Sequence, residues 1–233
     1  MSTLVIRLIS LVISSSNSLV LASASPRRAK ILSEAGFTLT IQPSHVYENG
    51  ILQTTADVNK AVMKLALFKA SAVTASNGRK YVLGADTIVL FEEDILGKPE
   101  SPKEASKILN RLSGQTHEVI TGVAIVNPEG LMFTSHVRTS VNLKILNSEL
   151  ISSYVSTGAP FDKAGGYGIQ DSSFDGVESY DGCYLNVVGL PMCAVANLLE
   201  ISGFQLKKRV SCQGHLGAKR LYVNYVDHVE SSL

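Results

Sequence analysis

The first change in the pattern of hydrophobic and polar positions lies near the start of the chain, where a short apolar run passes into a helical pattern. Residues 19–22 are apolar, as in a buried strand. Ser25 is a good N-cap, Pro26 suits the first position of a helix, and Gly36 is a typical residue to end one. The pattern therefore predicts a strand that leads directly into the N-terminus of a helix.

The rest of the chain predicts an α/β fold. Apolar spacing of three and four residues, bracketed by capping residues and glycines, predicts further helices at about 57–75, 101–114, 147–158 and 191–203. Alternation predicts strands at 37–42, 81–83, 87–91, 118–126 and 132–146, and a short hairpin at 177–188. The two longest strands form an antiparallel pair in this interpretation, so we expect a mixed central β-sheet flanked by helices.

The two ends of the chain lie outside this pattern. Residues 1–17 hold a short apolar segment that lacks a preceding basic cluster and is too short to span a bilayer. We interpret 1–17 as an N-terminal extension, with a signal or transit peptide as the alternative. Residues 18–204 are the predicted domain. Residues 205–233 are a C-terminal extension, in which 222–229 alternates like a strand without an evident partner.

Composition narrows the class of protein. A chain of 233 residues with 45% hydrophobic content can bury the core of one large domain or of two small lobes. Its net charge of +1 creates no overall electrostatic attraction to nucleic acid or membrane, so neither is an expected partner. Any anion site must therefore be formed by a local cluster of cations. Cys183, Cys193 and Cys212 include no CxxC pair, which argues against a disulfide framework or structural zinc and fits a reducing, cytoplasmic compartment.

Two arginines, Arg27 and Arg28, lie in the first turn of the first predicted helix. Cations at this position oppose the helix dipole, so they are electrostatically reasonable mainly when an anion lies beside them. With Ser23 just before the turn, this corner is a candidate phosphate site. The alternative is an ordinary strand-to-helix turn with two solvated arginines.

Two further charged residues lie where apolar residues are expected. Lys69 continues the apolar stripe of its helix, so its ammonium group must either reach out to solvent or point at a buried anion. Asp86 lies between two strand-like segments and follows Gly84, a residue that lets another group approach the backbone. On position alone, an aspartate there is either a turn former or N-cap, or a catalytic carboxylate.

The candidate polar residues have complementary chemistry. The cations and the hydroxyl donor are Ser23, Arg27, Arg28, Lys69 and Lys98, and the carboxylates are Glu48 and Asp86. Several cations and a helix N-terminus suit the charges of a nucleoside triphosphate, and two carboxylates can hold a hard divalent ion. Such a set can position water for attack on phosphorus. The chain has no Walker A, GxGxxG or HExxH motif, so P-loop, Rossmann and zincin interpretations lack support.

The order of several short motifs resembles that of the Maf family of nucleotide pyrophosphatases. These motifs are residues 23–28 (SASPRR), 84–87 (GADT), 97–99 (GKP), 112–114 (LSG), 162–170 (DKAGGYGIQ) and 186–191 (NVVGLP). The resemblance extends over about 18–203. The segment Gly165-Gly166-Tyr167 is also similar to the Maf-like domain of acetylserotonin methyltransferase-like proteins. The resemblance implies two lobes around a nucleotide cleft, and homodimers.

What the resemblance implies chemically is hydrolysis of a nucleoside triphosphate between its α and β phosphates, with a divalent cation, Mg²⁺ or Mn²⁺. Asp86 matches the proton acceptor of the family, and Asp86 and Glu48 match carboxylates that help to hold the metal. The phosphate-handling positions are matched by Ser23, Arg28, Lys69 and Lys98. One departure is Tyr47, where the family commonly has an acidic residue.

The resemblance also bears on the nucleotide. Arg27, Thr87 and Gln170 match positions that separate a dTTP/UTP subgroup from relatives that act on 7-methyl-GTP. A glutamine amide donates and accepts in one plane, as contact with the edge of uracil or thymine requires. We therefore expect a dTTP/UTP pyrophosphatase. The alternatives are the same chemistry on 7-methyl-GTP or another modified nucleotide, and a catalytically idle nucleotide-binding module.

Overall fold

Residues 18–46, 57–206 and 224–226 are described by the computed structural model. The strands are β1 (Ser18–Leu21), β2 (Thr38–Ile41), β3 (Val82–Phe91), β4 (Asp94–Leu96), β5 (Thr116–Val126), β6 (Met132–Leu143), β7 (Val177–Asp181) and β8 (Asn224–Val226). The helices are α1 (Pro26–Glu34), α2 (Val58–Thr74), α3 (Pro102–Leu112), α4 (Ser148–Ser156), α5 (Tyr184–Val188) and α6 (Met192–Ile201), with short 3-10 turns at Ala159–Asp162 and Ala164–Gly166. In this part of the chain, no helix is long and apolar enough to cross a membrane.

The strands of the described residues form one mixed sheet in the order β2-β1-β3-β5-β6-β7, with β4 beside β3 and β8 beside β6. β1 runs parallel to β2 and to β3, and the remaining pairs are antiparallel. β1 and β2 are connected through α1, as a parallel pair requires, whereas a short turn joins β5 to β6. The predicted mixed sheet flanked by helices is confirmed.

β3 is one continuous strand, so the predicted interruption at 84–87 is wrong. Its register with β5 is unbroken along this stretch. Gly84 does not end the strand, because α2 packs so closely there that a Cβ atom would lie 2.1 Å from the Ala66 carbonyl oxygen. The glycine therefore serves helix packing rather than a turn. Asp86 lies within the strand and is not a turn former.

Residues 177–188 do not form the predicted hairpin. β7 ends at Asp181 and pairs with β6, and the short helix α5 follows it. Gly189 ends α5 with a φ of 116°, a left-handed conformation that glycine adopts readily. The Asp181-Gly182 signal therefore marks the end of a strand correctly. The element that follows is a helix, and the apolar residues of this helix pack on the sheet.

The C-terminal strand has a partner that the sequence did not reveal. The backbone of Asn224–Val226 pairs antiparallel with β6, opposite Met132, Phe133 and Thr134. The alternating pattern at 222–229 therefore does indicate a strand. Its partner is far away in sequence, and no local signal identifies a pairing of that kind.

Helices and several apolar clusters cover the sheet. α2 packs on one face, against β3 and β5. α1 and α6 share a core with β1, β3 and β5 that includes Leu19, Leu83 and Leu198. α3 and α4 form another core with the ends of the long strands, around Leu109 and Tyr154. The last two cores include different ends of the long strands β5 and β6. The two lobes stay a prediction.

A gap along one edge of β3 positions the site. β1 pairs with Val82 and Leu83 at the start of β3, and β4 pairs with residues 89–91 at its end. Within the described residues, the intervening stretch 84–88 has a strand partner only on the β5 side. An open stretch of strand edge leaves backbone groups available to other partners. This stretch is the floor of a cleft.

Candidate active site

A cleft of about 530 Å³ opens above the unpaired edge of β3. Its lining comes from the β1–α1 turn, β3, the segment after β4, the 162–170 segment and the end of α5. The predicted site residues in this lining are Ser23, Arg27, Arg28, Lys69, Asp86, Thr87, Lys98 and Gln170. Glu48 and Tyr47 lie outside the described residues. Residues that are distant in sequence therefore share one cleft, whereas their roles remain predictions.

Lys69 and Asp86 form a buried ion pair at the side of the cleft. The Nζ atom of Lys69 lies 2.5 Å from Oδ1 of Asp86, and the two side chains are 11% and 8% exposed. Of the two alternatives for Lys69, the one in which it points at a buried anion is confirmed. Each charge compensates the other, which allows both to lie in the interior.

Two glycines bring Lys69 within reach of Asp86. Gly84 lies on β3, and Gly122 lies on β5 directly opposite Asp86. A Cβ atom at Gly122 would lie 2.2 Å from the carbonyl oxygen of Val62 in α2. Side chains at these two positions would push α2 away from the sheet. The glycines therefore allow the close approach of α2 that brings Lys69 to Asp86.

Arg28 covers the open edge of β3. Its Nη1 donates to the Ala85 carbonyl at 2.8 Å and to Ser23 Oγ at 3.1 Å. Its Nε donates to the Gly189 carbonyl at 2.9 Å, and its Nη2 donates to Thr87 Oγ1 at 3.0 Å. The guanidinium group thereby links the β1–α1 turn, β3 and the end of α5. These oxygens also explain why a cation is tolerated at a helix N-terminus, since their negative ends offset the dipole.

Arg27 is paired with a carboxylate of the protein itself. Its Nη1 contacts Asp162 Oδ2, and its Nη2 donates to the Asp162 carbonyl at 3.1 Å. Burial acts to raise the pKa of Asp162, but hydrogen bonds from Lys163 and Arg27, with their positive charges, outweigh it and hold this pKa below its ordinary value. The alternative of two merely solvated arginines is wrong, because both guanidinium groups have protein acceptors.

Lys163 is a buried cation that the sequence did not mark as a site residue. Its Nζ donates to the Ala159 carbonyl at 2.6 Å and to Asp162 Oδ1 at 2.7 Å, and it lies 3.2 Å from Asp171 Oδ2. The signals in the sequence are the opposite charge of its neighbour Asp162 and its place in the glycine-rich 162–170 motif. Lys163 fixes the segment that closes one side of the cleft.

The hydroxyl group of Thr87 is engaged within the protein. It accepts from Arg28, lies 2.9 Å from Thr121 Oγ1 and donates to the Gly189 carbonyl at 3.3 Å. Thr121 in turn donates to the Asn186 carbonyl at 3.3 Å. Thr87 therefore supports the guanidinium group of Arg28 and the end of α5, and it acts on the cleft through them.

Lys98 and Gln170 contribute exposed side chains to the lining. The ammonium group of Lys98 lies on the segment between β4 and α3, in position to meet an anion in the cleft. The amide Nε2 of Gln170 donates to Asp171 Oδ1 at 3.1 Å. Both residues can therefore contact a ligand directly.

A neutral polar pair lies beneath the cleft. Tyr167 is part of the lining, and its hydroxyl oxygen is 2.6 Å from His117 Nε2. Burial lowers the pKa of His117 to about 4, and burial also raises the pKa of Tyr167. Near neutral pH this pair adds no charge, so the charges of the cleft are those of its arginines and lysines and of Asp86 and Asp162.

Whether the cleft can hold a divalent cation depends on the carboxylates in its lining. Within the described residues, no group of three or more His, Cys, Asp or Glu side chains is placed to hold a metal ion. Asp86 and Asp162 line the cleft, and each contacts a cationic side chain. Mg²⁺ is commonly bound by one or two carboxylates together with substrate phosphates. The donor set therefore fits a cation that is held jointly with a polyphosphate.

Fold and cleft together define the class of protein: a mixed-sheet α/β protein with a cationic cleft suited to a polyphosphate. The chain belongs to the Maf family, because the family model described as Maf-like protein matches residues 18–201. The resemblance that the short motifs indicated is thereby confirmed, and the matched residues agree with the predicted extent of about 18–203.

Bacterial relatives are similar over most of their length. A protein of Moorella thermoacetica named dTTP/UTP pyrophosphatase is 47% identical over 193 residues, which cover 82% of this chain and 98% of the relative. A protein of the same name from Geotalea uraniireducens is 43% identical over 188 residues, covering 80% of this chain and 96% of the relative. The chain thus contains the counterpart of nearly the whole of each relative.

Two solved structures show a more distant likeness. A nucleoside-triphosphatase, or dITP/XTP pyrophosphatase, of Mycobacterium abscessus has a TM-score of 0.40 at 17% identity, covering 56% of this chain and 76% of that chain. The Ham1 protein of Staphylococcus aureus has a TM-score of 0.43 at 14% identity, covering 79% of this chain and 96% of that chain. These scores are too low to support a further conclusion.

Proposed function

We propose that this chain is a nucleoside triphosphate pyrophosphatase that hydrolyses dTTP and UTP to the monophosphate and pyrophosphate. The relatives that carry this name align with 82% and 80% of the chain. The observation that carries the proposal is the buried Lys69–Asp86 pair, which lies in the same cleft as Ser23, Arg28 and Lys98. Hydrolysis of a phosphoric anhydride requires groups that position the reactants and stabilise negative charge, and a carboxylate among several cations can do both.

The polyphosphate is assigned to the cationic part of the cleft. Ser23 and Arg28 contribute from the β1–α1 turn, where the helix N-terminus adds backbone N–H groups, and Lys98 contributes from the segment after β4. Arg28 is already held by protein oxygens. It therefore meets the substrate in a fixed orientation, and preorganised cations of this kind stabilise the charge that develops on the phosphoryl oxygens.

Asp86 is the proposed general base. Its carboxylate orients a water molecule and takes its proton as the water oxygen bonds to phosphorus, while the bond to the leaving pyrophosphate breaks. Lys69 holds one carboxylate oxygen at 2.5 Å and so fixes the direction of the other. Lys69 also places a positive charge beside the reacting groups, where negative charge accumulates.

A divalent cation, Mg²⁺ or Mn²⁺, is part of the proposal. Asp86 and Glu48 would hold it together with substrate phosphates, and when bound it neutralises phosphate charge. Titration of metal-stripped protein with each ion, followed by pyrophosphate release, measures the requirement. Full activity in excess chelator would contradict it. The variant Glu48→Gln should raise the metal concentration that gives half-maximal activity.

Selectivity for the base is assigned to the exposed amide of Gln170. Arg27 and Thr87, which match the other subgroup positions, are held by Asp162 and by Arg28 respectively, so we assign them a supporting role. Replacing Gln170 by glutamate places a carboxylate at the pyrimidine edge and should weaken dTTP and UTP selectively. Unchanged relative kcat/KM across a nucleotide panel would remove Gln170 from base recognition.

The decisive experiment compares Asp86→Asn with the parent in a pyrophosphate-release assay. The variant keeps the shape of the side chain, so we expect it to bind triphosphate and to lose turnover by about 100-fold or more. Glu93→Gln, an exposed change on the β3–β4 turn, is the matched control and should retain activity. Equal turnover of Asp86→Asn and the parent would refute the assigned base.

The nucleotide panel in that assay also separates the alternatives. It contains dTTP, UTP, dCTP, CTP, GTP and 7-methyl-GTP. Preferential turnover of 7-methyl-GTP would favour the first alternative, the same chemistry on another base. Binding of nucleotides without turnover by the parent would favour the second, a catalytically idle binding module.

The assembly and the compartment are further parts of the proposal. We propose a homodimer, which the resemblance implies, in the cytoplasm, which the cysteine content fits. Light scattering after size-exclusion chromatography measures the mass in solution, and the mass of one chain would contradict the dimer. Microscopy of the full chain with a C-terminal fluorescent tag tests the compartment, and fluorescence confined to an organelle would contradict it.

A further inference from the structure

The orientation of the Gln170 amide is set by its neighbour. Nε2 of Gln170 donates to Asp171 Oδ1 at 3.1 Å. A carboxylate accepts hydrogen bonds and has none to donate, so it is the nitrogen end of the amide that faces Asp171. The oxygen and nitrogen ends of an amide are nearly equal in shape, so the orientation of the amide is assigned from its hydrogen-bond partners. The carbonyl oxygen, Oε1, is therefore the end that remains for a ligand.

Asp171 is itself fixed from the protein interior. Tyr154 Oη donates to Asp171 Oδ2 at 2.6 Å, and Lys163 Nζ lies 3.2 Å from the same oxygen. Tyr154 is fully buried, and the side chain of Lys163 is 10% exposed. Burial and the hydrogen bond to Asp171 raise the pKa of Tyr154, so the phenol keeps its proton and continues to donate. The carboxylate cannot turn without breaking these buried contacts.

Gly168 leaves the space that the pair occupies. A Cβ atom at Gly168 would lie 2.8 Å from Cγ of Asp171 and 2.8 Å from Nε2 of Gln170. The backbone N–H of Gly168 also donates to Tyr154 Oη at 3.1 Å. A side chain at position 168 would therefore meet the side-chain atoms of the hydrogen-bonded amide and carboxylate and displace their contact.

The geometry points to Asp171 as a positioning residue that makes the cleft select uracil and thymine over cytosine. This inference rests on the proposed function, in which Gln170 contacts the base. With its nitrogen turned to Asp171, Gln170 offers an acceptor to the ligand. Uracil and thymine carry an N3–H donor, whereas cytosine has an acceptor at N3, so a fixed acceptor favours the former and repels the latter.

Asp171→Asn is the direct test. Asparagine has the size of aspartate but can donate as well as accept, so the amide of Gln170 is released to reverse. We expect the ratio of kcat/KM for UTP to that for CTP to fall about tenfold, with a similar fall for dTTP against dCTP. Asp175→Asn is the matched control. Asp175 lies on the same segment, is exposed and pairs with Lys144, and its substitution should leave both ratios unchanged.

A modified nucleotide provides a second measurement. Its result should not change if Asp171 has only a structural role. The triphosphate of 3-methyluridine lacks the N3–H donor, so the parent should discriminate against it relative to UTP. In Asp171→Asn this discrimination should shrink by the same factor as the UTP/CTP ratio. Thermal unfolding of each variant confirms that the comparison is between folded proteins. Gly168→Ala is the second variant, since it keeps both side chains and displaces their contact.

The outcomes separate this inference from the proposed function. A folded Asp171→Asn or Gly168→Ala that keeps the UTP/CTP ratio of the parent would overturn the role of Asp171 and leave the hydrolase intact. Absence of turnover in the parent would instead overturn the proposed function. In that event the ratio of Kd values for UTP and CTP, measured by calorimetry, takes the place of kcat/KM, and an unchanged ratio in the variants again overturns the inference.

Discussion

Arg28 Nη2 donates to Thr87 Oγ1 at 3.0 Å, and this hydrogen bond joins the N-terminus of α1 to the open edge of β3. The same hydroxyl group lies 2.9 Å from Thr121 Oγ1 on the neighbouring strand. The direction of a guanidinium group in the cleft is therefore set by the sheet below it. On the proposed function, we expect Thr87 to affect a bound nucleotide through Arg28, at the phosphates and not at the base.

Replacement of Thr87 by valine tests this relationship. Valine keeps the branched shape but removes the acceptor of Arg28, so we expect kcat/KM to fall about tenfold for every nucleotide, as loss of one charged hydrogen bond predicts. Pyrophosphate release across a nucleotide panel measures the effect. Thr116→Val, an exposed change at the start of β5, is the control. A loss confined to one base would show that Thr87 contacts the base instead.

Removal of Lys69 should affect stability as well as activity. Lys69→Met leaves Asp86 buried without its cation, which should lower the free energy of unfolding by about 3–5 kcal/mol. Urea denaturation at neutral pH measures this change. Adding Asp86→Leu to the same chain should restore much of the stability and none of the activity, because an apolar pair of similar volume replaces a buried ion pair at little cost. A double variant as unstable as the single one would contradict the pairing.

His117 should make the stability of the protein fall in mild acid. Burial lowers its pKa to about 4, from an ordinary value of 6.5. The unfolded chain therefore binds more protons between these values, so the stabilisation is complete above about pH 6.5 and is lost as the pH falls toward 4. The full loss amounts to ~3 kcal/mol, at 1.36 kcal/mol per pH unit.

The variant His117→Gln, which does not titrate, isolates this effect. The difference in unfolding free energy between the parent and the variant should shrink or change sign as the pH falls from 7 to 4. A constant difference over that range would mean that the pKa of His117 is the same in the folded and the unfolded chain. Tyr167, which bonds to His117, keeps its proton throughout, since burial raises its pKa.

The helices could be predicted from the sequence because their boundaries are local. Ser25 accepts from the Arg28 backbone N–H, Ser101 caps α3, and Asn147 caps α4, each through contacts within a few residues. The helical phase of Lys69 likewise predicted which side of α2 it lies on. Its partner, Asp86, could not be identified from the sequence, because only the folded structure brings the two residues together.

The errors arose where tertiary packing outweighs local signals. Gly84 is a turn signal in sequence, yet it lies within β3 because α2 packs against it. Asp86 is disfavoured within a strand, yet Lys69 compensates its charge from another element. The contacts of Lys163 and Asp171 could not be predicted either, because they depend on the packing of Tyr154 from α4 against residues 168 and 171. Glu48 stays a prediction.

A bare strand edge is a template on which a second chain can add its own strand, and such additions are how many aggregates begin. Arg28 bonds the Ala85 carbonyl at 2.8 Å and so places a fixed positive charge in front of the open stretch of β3. We expect Arg28→Ala to scatter more light than the parent during storage, with both proteins measured without nucleotide. If the variant aggregates as expected, the side chain proposed to bind the phosphates also keeps the protein in solution when no substrate is bound.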